Sequence, residues 1–260
     1  MQHHEATAEG YVAIVRDRPE VLGVVVVGSV ARGTPREDSD VDLYLVVTDE
    51  AYASARAAGT IASVSQEGVT YPGGYVDIKL ASPGYLTTAI ERADDPTRAS
   101  FVGARVMLDK TDAIVEQVAA IVTLPDQVWQ RRVTAYRAQA RLYGGYFLKQ
   151  GDQLGDQFLV QHAGVHLALA AGRLALAQHH RFFSGQKYLT ANLAELDLPV
   201  RFETTWRHVV QAPSAAVGQH LLEAIDAWLG PPETFDLQLS RFISDNELAW
   251  LHGTIPPEFW

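Results

Sequence analysis

The sequence predicts an α/β domain followed by an all-helical domain, and three observations support this division. Apolar, largely β-branched runs alternate with helical segments in the N-terminal part of the chain. From about Thr111 onward, long segments with helical periodicity and few β-branched runs replace them. Pro125 lies between the two regions. We place the α/β domain at residues 1–112 and the helical-bundle domain at residues 113–260.

The N-terminal elements follow from the spacing of apolar residues. Strands are predicted where apolar residues run together, and short helices where they recur at helical spacing or follow acids and alanines. On these grounds we expect a helix over residues 5–19, a strand over 21–27, a strand over 41–47 and a helix over 49–58. A polar loop with glycine and proline, residues 32–39, separates the two strands.

A third strand is predicted from Tyr75 to Leu80, because apolar and polar residues alternate there. Asp77 and Lys79 share the polar face of this strand. Ser82 and Pro83 then predict the start of a helix, with serine as the N-cap and proline in the first turn.

The second half of the sequence predicts helices. Residues 126–149 and 157–180 have helical periodicity, residues 183–185 form a turn, and residues 215–229 predict a further helix. His162 and His166 lie four residues apart, a spacing that also suits zinc ligands on one helix face. Their alanine-rich helix favours packing between helices as their role.

Composition restricts the function classes. No apolar stretch approaches the roughly 20 residues of a membrane-spanning helix, and the N-terminus lacks the pattern of a signal peptide. A cytoplasmic location without a membrane partner is the default expectation. The chain has 0 cysteines, which excludes disulfides, thiolate metal sites and cysteine nucleophiles.

The net charge of −10 argues against a nucleic-acid partner. Proteins that bind a polynucleotide backbone use clustered Lys and Arg, and the 21 basic residues here are scattered. An acidic surface suits a cationic partner, although acidity can equally serve solubility alone.

One motif carries most of the chemical information. Gly28 and Ser29 end the first strand, ten residues follow, and Asp40 and Asp42 then flank Val41. Residues two apart on a strand point to the same face, about 7 Å apart, so both carboxylates can bind one Mg²⁺ or share two. A glycine at the strand end lets backbone N–H groups approach phosphate oxygens, and the Ser29 hydroxyl adds a donor.

Asp77 can complete this site if its strand lies beside the strand of Asp42. Three carboxylates around two ions suit phosphoryl transfer, in which one ion activates the attacking oxygen and the other stabilises the leaving group. Two roles are open to Asp77: it can bind the ion near the acceptor, or it can accept the proton of the acceptor hydroxyl.

The segments Gly28-Ser29-Val30-Ala31-Arg32-Gly33 and Ser39-Asp40-Val41-Asp42-Leu43 resemble the signature of the DNA polymerase β-like nucleotidyltransferase superfamily. This resemblance implies a catalytic domain with a mixed sheet. It also implies that Gly28 and Ser29 hold the triphosphate of an NTP and that Asp40, Asp42 and Asp77 bind two Mg²⁺ ions. Arg32 and Ser39 occupy positions that often contact the triphosphate in that superfamily.

The size of the chain and its helical second half are similar to those of aminoglycoside and lincosamide nucleotidyltransferases. The segment Arg181-Phe182-Phe183-Ser184-Gly185-Gln186-Lys187-Tyr188-Leu189 resembles a short motif in the helical domains of these bacterial proteins. By this analogy Lys187 contacts the triphosphate from the helical domain. Relatives of this kind sometimes form their active site between two protomers, so the resemblance also implies a possible homodimer.

The function expected from these observations is transfer of a nucleoside monophosphate, with ATP favoured as donor, to a hydroxyl of a small molecule. An aminoglycoside- or lincosamide-like antibiotic is the acceptor that the resemblance implies. Two alternatives stay open: modification of a protein or RNA, as in toxin–antitoxin systems, and a nucleotide-binding module without catalysis.

Overall fold

A computed structural model describes residues 2–260. Contacts between Cα atoms divide the chain into two compact units, one ending at Thr123 and one running from Leu124 to Trp260. The first unit combines strands with helices, and the second consists of helices, as the sequence predicted.

The first unit contains five strands and six α-helices among its described residues. Their order is α1 Gln2–Val15, β1 Val21–Val26, α2 Gly28–Ala31, β2 Val41–Val47, α3 Asp49–Ala58, β3 Ala62–Ser65, β4 Val76–Ala81, α4 Pro83–Arg92, α5 Asp95–Phe101, β5 Arg105–Asp109 and α6 Ile114–Ile121.

The five strands form one mixed sheet in the order β3-β4-β2-β1-β5. β1 pairs antiparallel with β2 and β5, and β3 pairs antiparallel with β4. Only β2 and β4 run parallel, with α3 and β3 between them in sequence. The mixed sheet that the resemblance implied is confirmed.

Most of the predicted elements have their expected bounds. β2 and α3 match their predicted ranges, and the Ser82 side chain accepts a hydrogen bond from the backbone N–H of Tyr85 at the start of α4. The helix predicted over residues 5–19 ends earlier, because α1 stops at Val15 and a turn over residues 16–20 leads into β1. This turn contains Pro19, which has no backbone N–H for a helical hydrogen bond. β3 and β5 were not predicted; both are short, and neither carries a buried apolar run.

Alternating residues of β2 pack on opposite faces of the sheet. Tyr44 and Val46 lie in a core cluster with residues of α4, α5 and α6. Leu43 and Leu45 lie in a second cluster, with residues of α1. The sheet is therefore covered by apolar side chains on both faces, which explains the near-continuous apolar character of its central strands.

Arg98 on α5 links three helices of the first unit. Its side chain is buried and donates hydrogen bonds to the backbone carbonyls of Ile90, Ala93 and Ile121, at 3.0, 3.0 and 2.6 Å. These carbonyls lie at the C-terminal ends of α4 and α6, where backbone acceptors have no partner within the helix. The guanidinium therefore satisfies carbonyl groups that have no donor partner within their own helices.

The helical unit has eight α-helices among the residues that the structure describes. They are α7 Asp126–Arg141, α8 Leu148–Leu154, α9 Gln157–Gln178, α10 Leu189–Ala194, α11 Val200–Gln211, α12 Ala215–Leu229, α13 Phe235–Phe242 and α14 Ala249–His252. Residues 142–147 and 243–247 adopt π-helical turns, and residues 186–188 and 257–259 adopt 3₁₀ turns. The helix predicted over residues 126–149 is thus interrupted by a π-helical turn that contains Gly144 and Gly145.

The buried centre of this unit is α9. Its Arg173 is 2% exposed, donates to the backbone carbonyl of Glu258 and lies 4.7 Å from the centroid of the Phe183 ring. His162 and His166 have ring centroids 4.3 Å apart, and His166 Nδ1 lies 3.6 Å from a carboxylate oxygen of Glu258. These contacts agree with a packing role for the two histidines.

In residues 2–260, no helix combines the length and apolar character needed to cross a membrane.

We expect Arg98→Met to destabilise the first unit by about 3 kcal/mol, because it leaves one buried and two half-buried carbonyls without their donor. Urea unfolding followed by circular dichroism measures this change. Arg92→Met is the control, since Arg92 is an exposed residue of neighbouring α4, and it should change the free energy of unfolding by less than about 0.5 kcal/mol. Equal stability of the two variants would contradict the linking role of Arg98.

Candidate active site

Three aspartates meet at the start of the two parallel strands. Asp42 is the second residue of β2 and lies directly opposite Asp77 of β4 in the sheet register. Asp40 immediately precedes Val41, the first residue of β2. One carboxylate oxygen from each of the three aspartates lies within 4.8 Å of the others. We call these residues the carboxylate cluster.

Asp42 and Asp77 occupy the same face of the sheet as Tyr44 and Val46. Further along β2 and β4, Tyr44, Val46 and Ala81 on this face pack against α4, α5 and α6. At the beginning of the strands the acids replace the apolar residues and are only half buried. The cluster therefore lies where the packed core ends, at a position that stays accessible to small ions and ligands.

The carboxylates are costly to ionise together. Burial is the largest cause that raises the pKa of Asp42, and the negative charge of Asp40 is the next, so that this pKa rises to about 6. This value includes the positive charges of Lys79 and Arg32, which lower the pKa, and the negative charge of Asp77, which raises it. A nearby positive charge would favour the ionised form of this carboxylate and lower its pKa again.

The carboxylate cluster fits a hard divalent cation such as Mg²⁺. Its three members all offer carboxylate oxygens, and the cation would offset the repulsion that raises the pKa of Asp42. Within residues 2–260, this is the one group of three or more acidic or histidine side chains close enough to share an ion.

Gly28 is required by the position of Asp42. Its φ is +70°, a left-handed conformation that disfavours side chains, and a Cβ atom placed there would lie 2.3 Å from Oδ2 of Asp42. The backbone N–H of Val27 also donates to the carbonyl of Asp42 at 2.9 Å. The sequence suggested that this glycine makes room for phosphate; the structure adds that it makes room for a carboxylate of the cluster.

The other predicted nucleotide-binding residues of the first unit flank this point. Ser29 is half buried in α2, directly after Gly28. Arg32 is exposed just after α2, close enough to the cluster for its charge to lower the pKa of Asp42. Ser39 is 8% exposed, and its side-chain oxygen accepts a hydrogen bond from the backbone N–H of Arg36 at 2.9 Å.

Two tyrosines beside the cluster were not predicted. Tyr71 donates a hydrogen bond from its hydroxyl to the backbone carbonyl of Ser39. The Tyr75 hydroxyl is hydrogen-bonded to the Asp40 carboxylate, and this bond, followed by the charge of Asp40, raises the pKa of Tyr75. Tyrosines in a turn or at the start of a strand give no periodic signal, so the sequence alone does not point to either of them.

Lys187 belongs to the helical unit. It lies in the 3₁₀ turn at residues 186–188, it is exposed, and its Nζ atom is 5.2 Å from the centroid of the Tyr188 ring. Its contact with a triphosphate stays a prediction.

Comparison with known proteins agrees with this site. Residues 9–84 match the family model described as "Nucleotidyltransferase domain". The matched range includes Gly28 and the whole carboxylate cluster.

The chain is also similar to the solved structure of a nucleotidyltransferase-like protein from Exiguobacterium sibiricum 255-15. The two share 14% sequence identity with a TM-score of 0.44, over 96% of this chain and 91% of that chain. No curated protein matches the chain.

We expect Gly28→Ala to disrupt the carboxylate cluster, because the added Cβ would displace the Asp42 carboxylate. Gly59→Ala is a matched control: Gly59 has a similar φ of +72°, but a Cβ there meets no atom within 4 Å. Both variants should lose about 1 kcal/mol of stability from backbone strain. Only Gly28→Ala should also lose Mn²⁺ binding, measured by electron paramagnetic resonance. Normal Mn²⁺ binding by Gly28→Ala would contradict the close packing of Gly28 on Asp42.

We expect Asp42→Asn to stabilise the metal-free protein at pH 8 by about 1–2 kcal/mol, a value discounted because the side chain is partly exposed to solvent. The folded-state pKa of Asp42, about 6, lies above the unfolded value of about 3.9, so ionisation is penalised only in the folded state. The stability that protonated Asp42 provides is therefore complete below pH 4 and is lost as the pH rises through 6.

Urea unfolding in EDTA at pH 8 and at pH 4 measures this effect. The advantage of Asp42→Asn over the wild type should disappear at pH 4. Asp38→Asn is the control, because Asp38 is exposed and pairs with Arg36 rather than with the cluster. A less stable Asp42→Asn protein at pH 8 would contradict the electrostatic account.

Proposed function

We propose that the protein transfers a nucleoside monophosphate from an NTP, with ATP favoured, to a hydroxyl group of a small molecule. The observation that carries the proposal is the convergence of Asp40, Asp42 and Asp77 inside a region that matches a nucleotidyltransferase domain. The matched domain supports nucleotidyl transfer in general; the donor, the acceptor and the use of Mg²⁺ belong to the proposal.

The bond changes are those of nucleotidyl transfer. The oxygen of the acceptor hydroxyl forms a bond to the α-phosphorus of the NTP, and the bond from that phosphorus to the bridging oxygen of the β-phosphate breaks. Pyrophosphate leaves, and the proton of the hydroxyl passes to a carboxylate or to water. Bound divalent ions would supply charge stabilisation for the attacking and leaving oxygens.

The carboxylate cluster performs two tasks in this scheme. Asp40 and Asp42 are the residues that would hold the metal ions, since they offer oxygens from the loop and the strand at one point. Asp77 faces Asp42 across the strand pair and either joins them as a ligand or accepts the proton of the acceptor.

The residues around the cluster would bind and orient the triphosphate. Gly28 and Ser29 offer backbone N–H groups and a hydroxyl beside Asp42, and the positive charge of Arg32 suits an anionic donor. Ser39 would contribute its hydroxyl.

The acidic composition favours a small or cationic acceptor over RNA. With a net charge of −10, the chain carries few basic residues with which to displace counterions from a nucleic-acid backbone. An acidic protein raises the local concentration of a cationic ligand, which suits an aminoglycoside-like acceptor.

Activity is tested with Mg²⁺, α-labelled ATP or GTP, and a panel of aminoglycosides, lincosamides and simple polyols, with products separated by chromatography. We expect a labelled adduct that requires Mg²⁺. Asp40→Asn and Asp42→Asn should each lower its rate by roughly 10³-fold, because charge stabilisation at the transferred phosphate is lost. Asp38→Asn, an exposed acid of the same loop, should stay within about twofold of wild type.

The same assay separates the competing acceptor classes. Label that appears in a protein band after incubation with a cell lysate, with no small-molecule adduct, would overturn the small-molecule acceptor and favour protein modification. NTP binding without Mg²⁺-dependent transfer to any acceptor would contradict catalysis and favour a nucleotide-binding module.

A further inference from the structure

We propose that Tyr71 is a positioning residue for Asp40 and that the first helix, α1, holds Tyr71 in place for this task. The inference rests on the proposed function, because it assumes that the carboxylate cluster binds divalent cations. The segment that makes these contacts, residues 66–75, is called the Tyr71 loop.

Asp40 needs support that the sheet does not provide. Asp42 and Asp77 lie within paired strands, and the ladder of β2 and β4 fixes their backbone. Asp40 precedes β2, so its own backbone is outside this ladder. The orientation of its carboxylate therefore depends on how the peptide groups on either side of it are held.

The Tyr71 loop contacts the chain on both sides of Asp40. The Tyr71 hydroxyl donates to the carbonyl of Ser39, the residue before Asp40. The backbone N–H of Val41, the residue after Asp40, donates to the carbonyl of Tyr75 at 3.0 Å. Two hydrogen bonds from one loop thus fix the peptide groups that precede and follow this carboxylate.

The Tyr71 ring is itself closely packed. A Cβ atom on Gly74 would lie 2.4 Å from ring carbons of Tyr71, so only a glycine allows the ring to rest on the loop backbone. Ring centroids of His3 and His4, from the first turn of α1, lie 4.4 and 5.0 Å from that of Tyr71. His4 is 1% exposed, which shows how completely this packing excludes solvent.

Direct hydrogen bonds attach α1 to the Tyr71 loop. Thr70 donates from its backbone N–H to the Thr7 hydroxyl at 3.2 Å and from its own hydroxyl to the carbonyl of His3 at 3.0 Å. The backbones of Gly10 and Gly68 also approach closely, since a Cβ on Gly10 would lie 3.3 Å from the Gly68 carbonyl oxygen. The position of α1 therefore determines the position of Tyr71, and through Ser39 that of Asp40.

If Tyr71 positions Asp40, removal of its hydroxyl should weaken cation binding. If Tyr71 only supports the fold, the same change should lower stability instead. Tyr71→Phe keeps the ring between Gly74 and the histidines and removes only the hydrogen bond to Ser39. Groups that orient metal ligands typically change metal affinity by 10-fold or more. The expected effect thus falls on cation binding rather than on folding.

The experiment measures Mn²⁺ affinity of the full chain at pH 8, without nucleotide, by electron paramagnetic resonance of free Mn²⁺, together with the melting temperature. Tyr71→Phe should bind Mn²⁺ about tenfold more weakly, with a melting temperature within about 2 °C of wild type. Gly74→Ala, which keeps the hydroxyl but displaces the ring, should weaken Mn²⁺ binding as well. Tyr52→Phe, on α3 beyond the far end of β2, is the matched control and should bind Mn²⁺ as the wild type does.

Wild-type affinity in Tyr71→Phe would overturn the positioning role and leave the proposed function intact. A lower affinity accompanied by a melting temperature several degrees lower, in Tyr71→Phe and Gly74→Ala alike, would show that Tyr71 supports the fold only. Absence of Mn²⁺ binding by the wild type itself would overturn the proposed metal site, and this inference with it.

Discussion

The candidate site depends on the parallel pairing of β2 with β4. This single register sets Asp42 directly opposite Asp77, although the two residues are far apart in sequence. With Asp40 beside them, three acids share a space in which their oxygens lie within 4.8 Å. Partial burial, followed by the charge of Asp40, raises the pKa of Asp42, and shifts of this kind are concentrated at functional sites.

The same geometry explains the residues around the cluster. Gly28 has no side chain because the Asp42 carboxylate occupies that space, and Arg32 and Lys79 contribute positive charge that partly offsets the acids. The site thus combines like-charge repulsion with half-buried polar groups next to an apolar core. Such features reduce stability, and their concentration at one edge of the sheet agrees with a functional role.

Local sequence patterns were sufficient to predict most of the candidate site. Gly28, Asp40 and Asp42 belong to one strand–loop–strand segment, so their proximity follows from local spacing alone. Asp77 was placed by the alternation of its strand, and its pairing with Asp42 could only be inferred by resemblance. Tyr71 was not found, because its contact with Ser39 joins residues that are distant in sequence and depends on how α1 packs. β3 and β5 were missed since neither has an apolar run long enough to indicate a strand.

The claim that the three aspartates share a divalent cation is tested most directly by the number of protons released when the protein binds Mg²⁺. Calorimetric titrations in buffers of different ionisation enthalpy measure this number. If the three acids share the ion, Asp42 must lose its proton on binding, and a pKa of about 6 predicts release of about half a proton at pH 6 and almost none at pH 8. Asp42→Asn should abolish the release at pH 6. Mg²⁺ binding with no proton release at pH 6, or with the same release in Asp42→Asn, would contradict a shared cation site.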